Sequence, residues 1–264
     1  MRKKTFLLLI STIYMFRLAA QDTAFTNAMG IQFVLIHPGA MTVGKFQPTV
    51  GSKDFDGSAL PQQMVEKSEQ MARADIMPGF EVKIPKAYYI GKFEITQAQW
   101  QKVMGNNPSA FQNDGSADHP VENITWNDAQ AFIKKLNASD PQHVYRLPSE
   151  FEWEYAARAG AQDDISWKDI QATAVLGGLS PRKGGTKKPN AWGMYDMLGN
   201  VWEWVQDVYN EKIFPDPMPP RKGKEHVLKG SSFTGDVKNA TYMTHAAGPG
   251  NGFDIGFRIV MEVK

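Results

Sequence analysis

Residues 193–207 read GMYDMLGNVWEWVQD, and this stretch decides the fold of the chain. It places two glycines, three acidic residues and three aromatic residues in fifteen positions, with neither a helical nor a strand period. Asp196 and Glu203 lie at the two ends of a glycine-interrupted turn, with several backbone carbonyls between them. Hard cations such as Ca²⁺ bind this mixture of carboxylate and carbonyl oxygens. The residues alone leave two interpretations open: a calcium turn, or acids that cap turns and pair with Lys or Arg.

The N-terminus has the pattern of a secretory signal peptide. MRKK supplies a positive start, residues 6–16 are apolar, and residues 18–20 (LAA) offer a small-residue cleavage site. The apolar run is shorter than the roughly 20 residues that span a bilayer. We therefore expect residues 1–20 to be removed and the protein to be periplasmic or secreted. An uncleaved N-terminal anchor is the alternative.

The composition favours a globular protein and excludes several functions. The 264 residues are 42% hydrophobic and carry a formal charge of +1, which gives no basic excess for nucleic acid. The chain has no cysteine, so disulfides, a cysteine nucleophile and a lipid-modified N-terminal cysteine are all excluded. After residue 20 no segment reaches membrane-spanning length. We expect a non-lipoprotein without nucleic-acid partners or a membrane span.

Local patterns predict few regular elements. Residues 31–36 and 87–96 favour strands, the second with a kink at Gly91, and residues 45–80 indicate a long polar surface loop. Three helix starts carry a capping residue with a polar partner three positions on: Thr96 with Gln99, Asn127 with Gln130, and Ser149 with Glu152.

The first and third of these helices should cover about 97–104 and 150–159. The second should bury one face, made of Ala129, Phe132, Ile133 and Leu136. Beyond Gly160 the chain is rich in Gly, Pro, Asn and Trp. This pattern predicts an irregular α+β domain with little regular secondary structure.

Four further segments carry a resemblance to a known family: YRLPSEFEWEYAARAG (145–160), KKPNAWGMYDMLGNVWEWVQD (187–207), KGSSF (229–233) and GFRIV (256–260). They resemble the sulfatase-modifying-factor domain, which is the fold of formylglycine-generating enzyme. The resemblance implies one domain over residues 30–264, related to C-type lectins, preceded by a short segment at 21–29.

The resemblance also implies a structural Ca²⁺ ion on the opening turn. The expected ligands are side-chain oxygens at both ends and carbonyls between them: Asp196, Met197, Gly199, Val201 and Glu203. The family's second calcium site falls in residues 161–187, where no ligands can be assigned.

The resemblance fails where the family performs its chemistry. Formylglycine-generating enzymes oxidise a substrate cysteine with two copper-binding cysteines, and the corresponding positions here are Gly235 and Ala240. Neither residue can ligate copper, so we expect no copper and no formylglycine-generating activity. Four residues remain as candidates for a binding cleft. Trp202 and Ser232 match residues that line the family's pocket, and Asp236 and His245 lie near Gly235 and Ala240 in the sequence.

Two functions remain open from the sequence. The first is a periplasmic binding or regulatory module that recognises a protein or peptide through the cleft, for example in secretion-system signalling. The second is a divergent metal-dependent oxidative maturation enzyme, similar to the siderophore-maturation branch of the family. Asp236 and His245 are two candidate ligands where a catalytic metal needs at least three, which favours the binding module.

Overall fold

A computed structural model describes residues 24–46, 58–59, 61–74, 77–213, 222–237, 240–248 and 250–263. The strands are β1 (Ala24–Thr26), β2 (Gln32–Ile36), β3 (Gly39–Phe46), β4 (Met77–Ile84), β5 (Tyr88–Gly91), β6 (Tyr145–Arg146), β7 (Trp202–Val208), β8 (His226–Lys229), β9 (His245–Ala247), β10 (Ile255–Gly256) and β11 (Val260–Glu262). The helices are α1 (Gln62–Ala74), α2 (Gln97–Met104), α3 (Trp126–Ser139), α4 (Glu150–Arg158) and α5 (Trp167–Thr173). The predicted signal peptide lies outside these residues.

The strands form three small sheets. One has the order β1-β2-β5-β11-β6, the second has the order β10-β7-β8-β9, and the third is the β3–β4 hairpin. Neighbouring strands are antiparallel except for β10 and β7, which are parallel. The last strand, β11, lies between β5 and β6 in the five-stranded sheet. The predicted α+β class with short, irregular elements is confirmed.

Helices α2 and α4 begin at the predicted caps. The Thr96 hydroxyl accepts from the Gln99 amide, and the Gln99 side chain accepts from the Thr96 amide, which closes a capping box. Ser149 and Glu152 make the same reciprocal pair at α4. Helix α2 ends where Gly105 takes a left-handed conformation with φ of 86°. Strong local signals therefore position both helices.

The predicted start of α3 is wrong by two residues. Its N-cap is Thr125, whose hydroxyl accepts from the Asp128 amide, rather than Asn127. Thr125 with Asp128 and Asn127 with Gln130 both fit the capping pattern. The structure uses the earlier pair, so the helix begins at Trp126. The buried face is as predicted: Ala129, Phe132, Ile133 and Leu136.

The prediction of a long surface loop over residues 45–80 is also wrong where the structure describes this segment, and residues 47–57, 60, 75 and 76 lie outside the described ranges. The segment contains the end of β3, helix α1 and the start of β4, and the two strands pair along most of their length. The polar helix α1 lies between the two strands in the chain, so their pairing joins residues far apart in sequence. Strand β5 is shorter than expected because it ends at Gly91.

Two clusters of buried side chains hold the sheets and helices together. In the first, Trp100 of α2 stacks on Phe132 of α3 at 5.4 Å between ring centroids, and both contact Phe257. The second cluster surrounds the fully buried Trp153 of α4 and includes Val205 of β7. Among the described residues, no helix is both long and apolar enough to cross a membrane.

Candidate functional site

Several residues of the turn at 196–203 have left-handed backbone conformations, which restrict the amino acids that can occupy these positions. Asp196 and Asn200 adopt left-handed conformations with φ of 53° and 60°, which Asp and Asn tolerate better than most residues. Gly199 has φ of 79°, and a Cβ at this position would collide with the Val175 carbonyl. The turn therefore packs directly against backbone, which fixes the carbonyls that lie between its two acids.

Glu203, at the far end of the turn, is paired with an arginine. Arg258 donates from Nε to Glu203 Oε2 at 2.6 Å and from Nη2 to Oε1 at 2.7 Å, and Trp153 Nε1 donates to Oε2 at 2.8 Å. Arg258 and Glu203 are both buried, at 0% and 1% exposure. Burial lowers the pKa of Arg258, but the charge and hydrogen bonds of Glu203, together with the nearby acids Glu94 and Asp196, outweigh burial and raise it overall. For Glu203, the pairing interpretation left open by the sequence is therefore realised.

Arg258 also holds the surrounding backbone. Its guanidinium donates to the carbonyls of Gly91 at 3.0 Å, Tyr195 at 3.1 Å and Asp196 at 3.3 Å. One fully buried side chain thus joins the end of β5 to the start of the turn. This junction could not be predicted from sequence because its partners are contributed by three distant segments.

Asp196 and Glu94 each keep one oxygen without a hydrogen-bond partner among the described residues. Asp196 Oδ2 accepts from the Gly185 amide at 2.7 Å, while Asp196 Oδ1 and Glu94 Oε1 are buried and unpaired. Burial and then the Asp196 charge raise the pKa of Glu94 well above its usual range, and burial also raises that of Asp196. Sequence reasoning missed Glu94 because an acid just before a helix cap carries no signal of burial.

The donor set suits a hard cation at Asp196 better than at Glu203. Asp196 presents a buried free oxygen beside the turn carbonyls, whereas Glu203 already neutralises Arg258. Within the described ranges, no three carboxylate or imidazole side chains converge as a metal cluster. A cation here would rely on carbonyls as well as carboxylates, which calcium accepts. The calcium ion remains a prediction.

Trp202 and Ser232 meet around an aspartate that sequence reasoning did not identify. The Ser232 hydroxyl donates to Asp254 Oδ2 at 2.7 Å, and the Trp202 amide donates to the Asp254 carbonyl at 2.8 Å. Thr234 adds a second hydroxyl to the same carboxylate oxygen at 3.2 Å. Asp254 directly precedes β10, and only the parallel pairing of β10 with β7 brings it here. We call these four residues the Asp254 site.

An aromatic group lies next to the Asp254 site. Phe233 follows Ser232, and its ring lies 5.6 Å from that of Phe111 and 6.2 Å from that of Phe253, between centroids. Phe253 is 52% exposed. Leu179, which is 94% exposed, follows Gly178, whose amide donates to the Phe233 carbonyl. We call Phe111, Phe233, Phe253 and Leu179 the apolar rim.

Gly235 and Ala240 stand close to this surface without any reactive group. Gly235 lies in a tight turn in which its amide donates to the Ser232 carbonyl, and a Cβ there would collide with Ser231 Oγ. Ala240 is fully buried in the second core cluster. Asp236 is exposed. In this chain Gly235 is therefore a turn residue and Ala240 is a core residue.

His245 belongs to a buried network of charges. Its Nδ1 lies 3.1 Å from Glu150 Oε1, and Lys229 Nζ lies 3.2 Å from Glu154 Oε2. Glu154 also pairs with Arg158 at 2.7 Å. Burial raises the pKa of Glu150, but the hydrogen bond from His245 and the Lys229 charge outweigh burial and lower it overall. His245 is therefore held by α4, whereas Trp202 and Ser232 are held by Asp254.

The family follows from a comparison with known domains. The sulfatase-modifying factor enzyme 1-like (FGE-sulfatase) domain profile matches residues 19–263. The chain belongs to this family. The predicted family is thereby confirmed, and the absence of cysteine agrees with a member that lacks the catalytic pair.

Named relatives of this FGE-sulfatase domain protein differ in function. It is 28% identical over 231 residues to "Chaperone protein LppX" of Paenibacillus barcinonensis, covering 66% of this chain and 79% of the relative. It is 33% identical over 163 residues to the formylglycine-generating enzyme of Streptomyces coelicolor, covering 51% of this chain. The match spans 50% of that enzyme's length.

Two solved structures share the fold. "Treponema denticola variable protein 1" superposes with a TM-score of 0.72 at 24% identity, covering 92% of this chain and 100% of the other. PvdO from Pseudomonas aeruginosa gives a TM-score of 0.68 at 22% identity, covering 91% and 98%. At these identities the likeness establishes the fold.

Proposed function

We propose that this FGE-sulfatase domain protein is a non-oxidative binding module that holds a protein or peptide segment at the Asp254 site and apolar rim. The observation that carries the proposal is the fate of the two cysteine positions. Gly235 is a turn residue, Ala240 is a core residue, and the chain contains no thiol at all. A route that oxidises substrate through paired thiolates has no chemical basis here.

The surface next to these positions has the composition of a peptide-binding site. Leu179 and Phe253 expose apolar area, and exposed apolar side chains grouped around polar groups mark interaction surfaces. Asp254 is oriented by the hydroxyls of Ser232 and Thr234 and by the Trp202 amide, so its position is fixed before any ligand arrives. The name of the chaperone relative is compatible with protein binding.

A peptide-display selection on the purified chain, followed by titration of the selected peptide, tests this function. Replacing Phe253 or Leu179 with Ser should weaken binding at least tenfold, because each removes exposed apolar contact area. Met64 of α1 is a matched control, since it is also exposed (56%) and lies outside the rim. Selection of no peptide, or equal losses in Met64→Ser and the rim variants, would contradict the proposal.

Metal analysis of the purified protein tests the alternative function, a divergent metal-dependent oxidative enzyme. Such an enzyme requires stoichiometric copper or iron in the purified protein, lost when Asp236 or His245 is changed to Ala. We expect neither metal. Iron or copper at one equivalent that depends on either residue would favour the enzyme over the binding module.

We also propose a structural calcium ion on the turn that begins at Asp196. An ion at a hundredfold excess over its dissociation constant adds about 2.7 kcal/mol to stability. For a domain of this size that raises the thermal midpoint by about 5–11 °C. The midpoint should therefore fall by that amount in chelator, and Asp196→Ala should lose the calcium-dependent part. An identical midpoint in calcium and in chelator would refute the ion.

Export to the periplasm or the medium is part of the same proposal. It rests on the signal pattern in residues 1–20. N-terminal sequencing of protein from the envelope fraction should give a chain that begins at Gln21. Retention of Met1 on envelope protein would indicate the anchored alternative.

A further inference from the structure

Glu94 is a buried acid that the proposed binding site does not use. It lies between β5 and α2, is 3% exposed, and leaves Oε1 without a hydrogen-bond partner among the described residues. Glu122 shows how the fold satisfies a comparable buried acid: its two oxygens accept from the amides of Phe111 at 3.0 Å and Ala110 at 2.9 Å. An unpaired buried carboxylate oxygen is costly and needs an explanation.

The charges around Glu94 do not balance. The segments that carry Glu94 and Asp196 lie side by side, because the Tyr195 amide donates to the Lys92 carbonyl at 3.1 Å. One arginine, Arg258, serves both segments and Glu203: it donates to the carbonyls of Gly91 and Asp196 as well as to the Glu203 carboxylate. Glu203 accepts two of the guanidinium hydrogen bonds, and the others go to backbone carbonyls. Arg258 therefore offsets one negative charge, and two carboxylates with unpaired oxygens remain in a water-excluded region.

We propose that Glu94 is a ligand of the cation at Asp196, so that the ion joins the 196–203 turn to the segment between β5 and α2. The inference rests on the calcium ion proposed above and adds a ligand from outside the turn. Two carboxylates and adjacent carbonyls form an all-oxygen donor set suited to Ca²⁺. Glu94 Oε1 and Asp196 Oδ1 are both closed to solvent, and a cation that has lost its water ligands fits such a site.

The experiment uses the full mature chain after dialysis against chelator. Calcium binding is measured by titration calorimetry, and Tb³⁺ binding by luminescence sensitised from Trp153, which hydrogen-bonds Glu203. Glu94→Gln should weaken both ions at least tenfold. Glu122→Gln is the matched control, because it removes a buried charge whose oxygens are already satisfied, and its ion affinity should equal that of the wild type.

The outcomes separate this inference from the proposals it rests on. If the wild type binds neither ion, the calcium site and the role of Glu94 both fail. If Asp196→Ala abolishes binding while Glu94→Gln leaves it unchanged, the turn site stands and Glu94 is not a ligand.

A stability measurement in chelator tests the charge imbalance around Glu94 in the metal-free protein. Glu94→Gln keeps the side-chain shape and removes a buried ionisable group that no cation neutralises in the metal-free protein, so the metal-free variant should be at least as stable as the metal-free wild type. A variant that is less stable, or fails to fold in chelator, contradicts the charge imbalance on which the inference depends.

Discussion

Arg258→Gln should be the most damaging polar substitution in this protein. The wild-type guanidinium is fully buried and forms a two-point pair with Glu203 at 2.6 and 2.7 Å. Removing one partner of such a pair leaves the other charge buried and uncompensated, which costs about 3–5 kcal/mol. Among the described residues, Glu203 then keeps its side-chain hydrogen bond from Trp153. For a domain of this size, the thermal midpoint should fall by about 6–20 °C.

Urea unfolding at neutral pH, followed by tryptophan fluorescence at one fixed calcium concentration, measures the loss. Arg146→Gln is the control, since Arg146 makes a similar two-point pair with Glu152 but is 32% exposed. That variant should lose about 1 kcal/mol. The double variant Glu203→Gln/Arg258→Gln should be less destabilised than the sum of its single variants, because neither charge is then stranded. A loss below about 1 kcal/mol for Arg258→Gln would refute the reasoning.

Three further substitutions test the turn, the cysteine position and a helix cap. Gly199→Ala should destabilise by about 2–4 kcal/mol in urea unfolding, since its Cβ meets the Val175 carbonyl at a left-handed φ. Gly235→Cys should cost about 1–3 kcal/mol because its Cβ collides with Ser231 Oγ, and copper analysis should remain blank. Burial raises the pKa of Glu152, but the hydrogen bonds and charge of Arg146, together with the hydrogen bonds from Ser149, outweigh burial and lower it overall. Glu152→Gln should therefore lose about 1–2 kcal/mol at pH 7, and its difference from the wild type should shrink as the pH falls below the ordinary pKa of Glu and vanish once it has passed the lowered pKa of Glu152.

Sequence reasoning succeeded where the determining contacts are local. The caps of α2 and α4 lie within three residues of their partners, so a short window contains the whole signal. At α3 the same logic found the buried face but chose Asn127 over Thr125, since both residues have a polar partner three positions on. The family motifs then supplied the fold that these pieces alone could not define.

The site was harder to predict because its contacts join distant segments. Glu203 was expected at a calcium turn, yet its pairing with Arg258, 55 residues away, emerges only in the folded chain. Asp254 reaches Ser232 through the pairing of β10 with β7, which residue order does not specify. The pairing of β3 with β4 was missed for the same reason, because helix α1 separates the two strands in the chain.

The position of β11 has a consequence for when this protein can fold. Val260 pairs with Ile90 on one side and with Arg146 on the other, so the five-stranded sheet has a gap until residues 260–262 arrive. Pairings between such distant residues form slowly, because the loops they close are long. An emerging chain that lacks these residues cannot complete the five-stranded sheet. For the exported chain proposed above, late closure of this sheet would help to keep the polypeptide competent for transport.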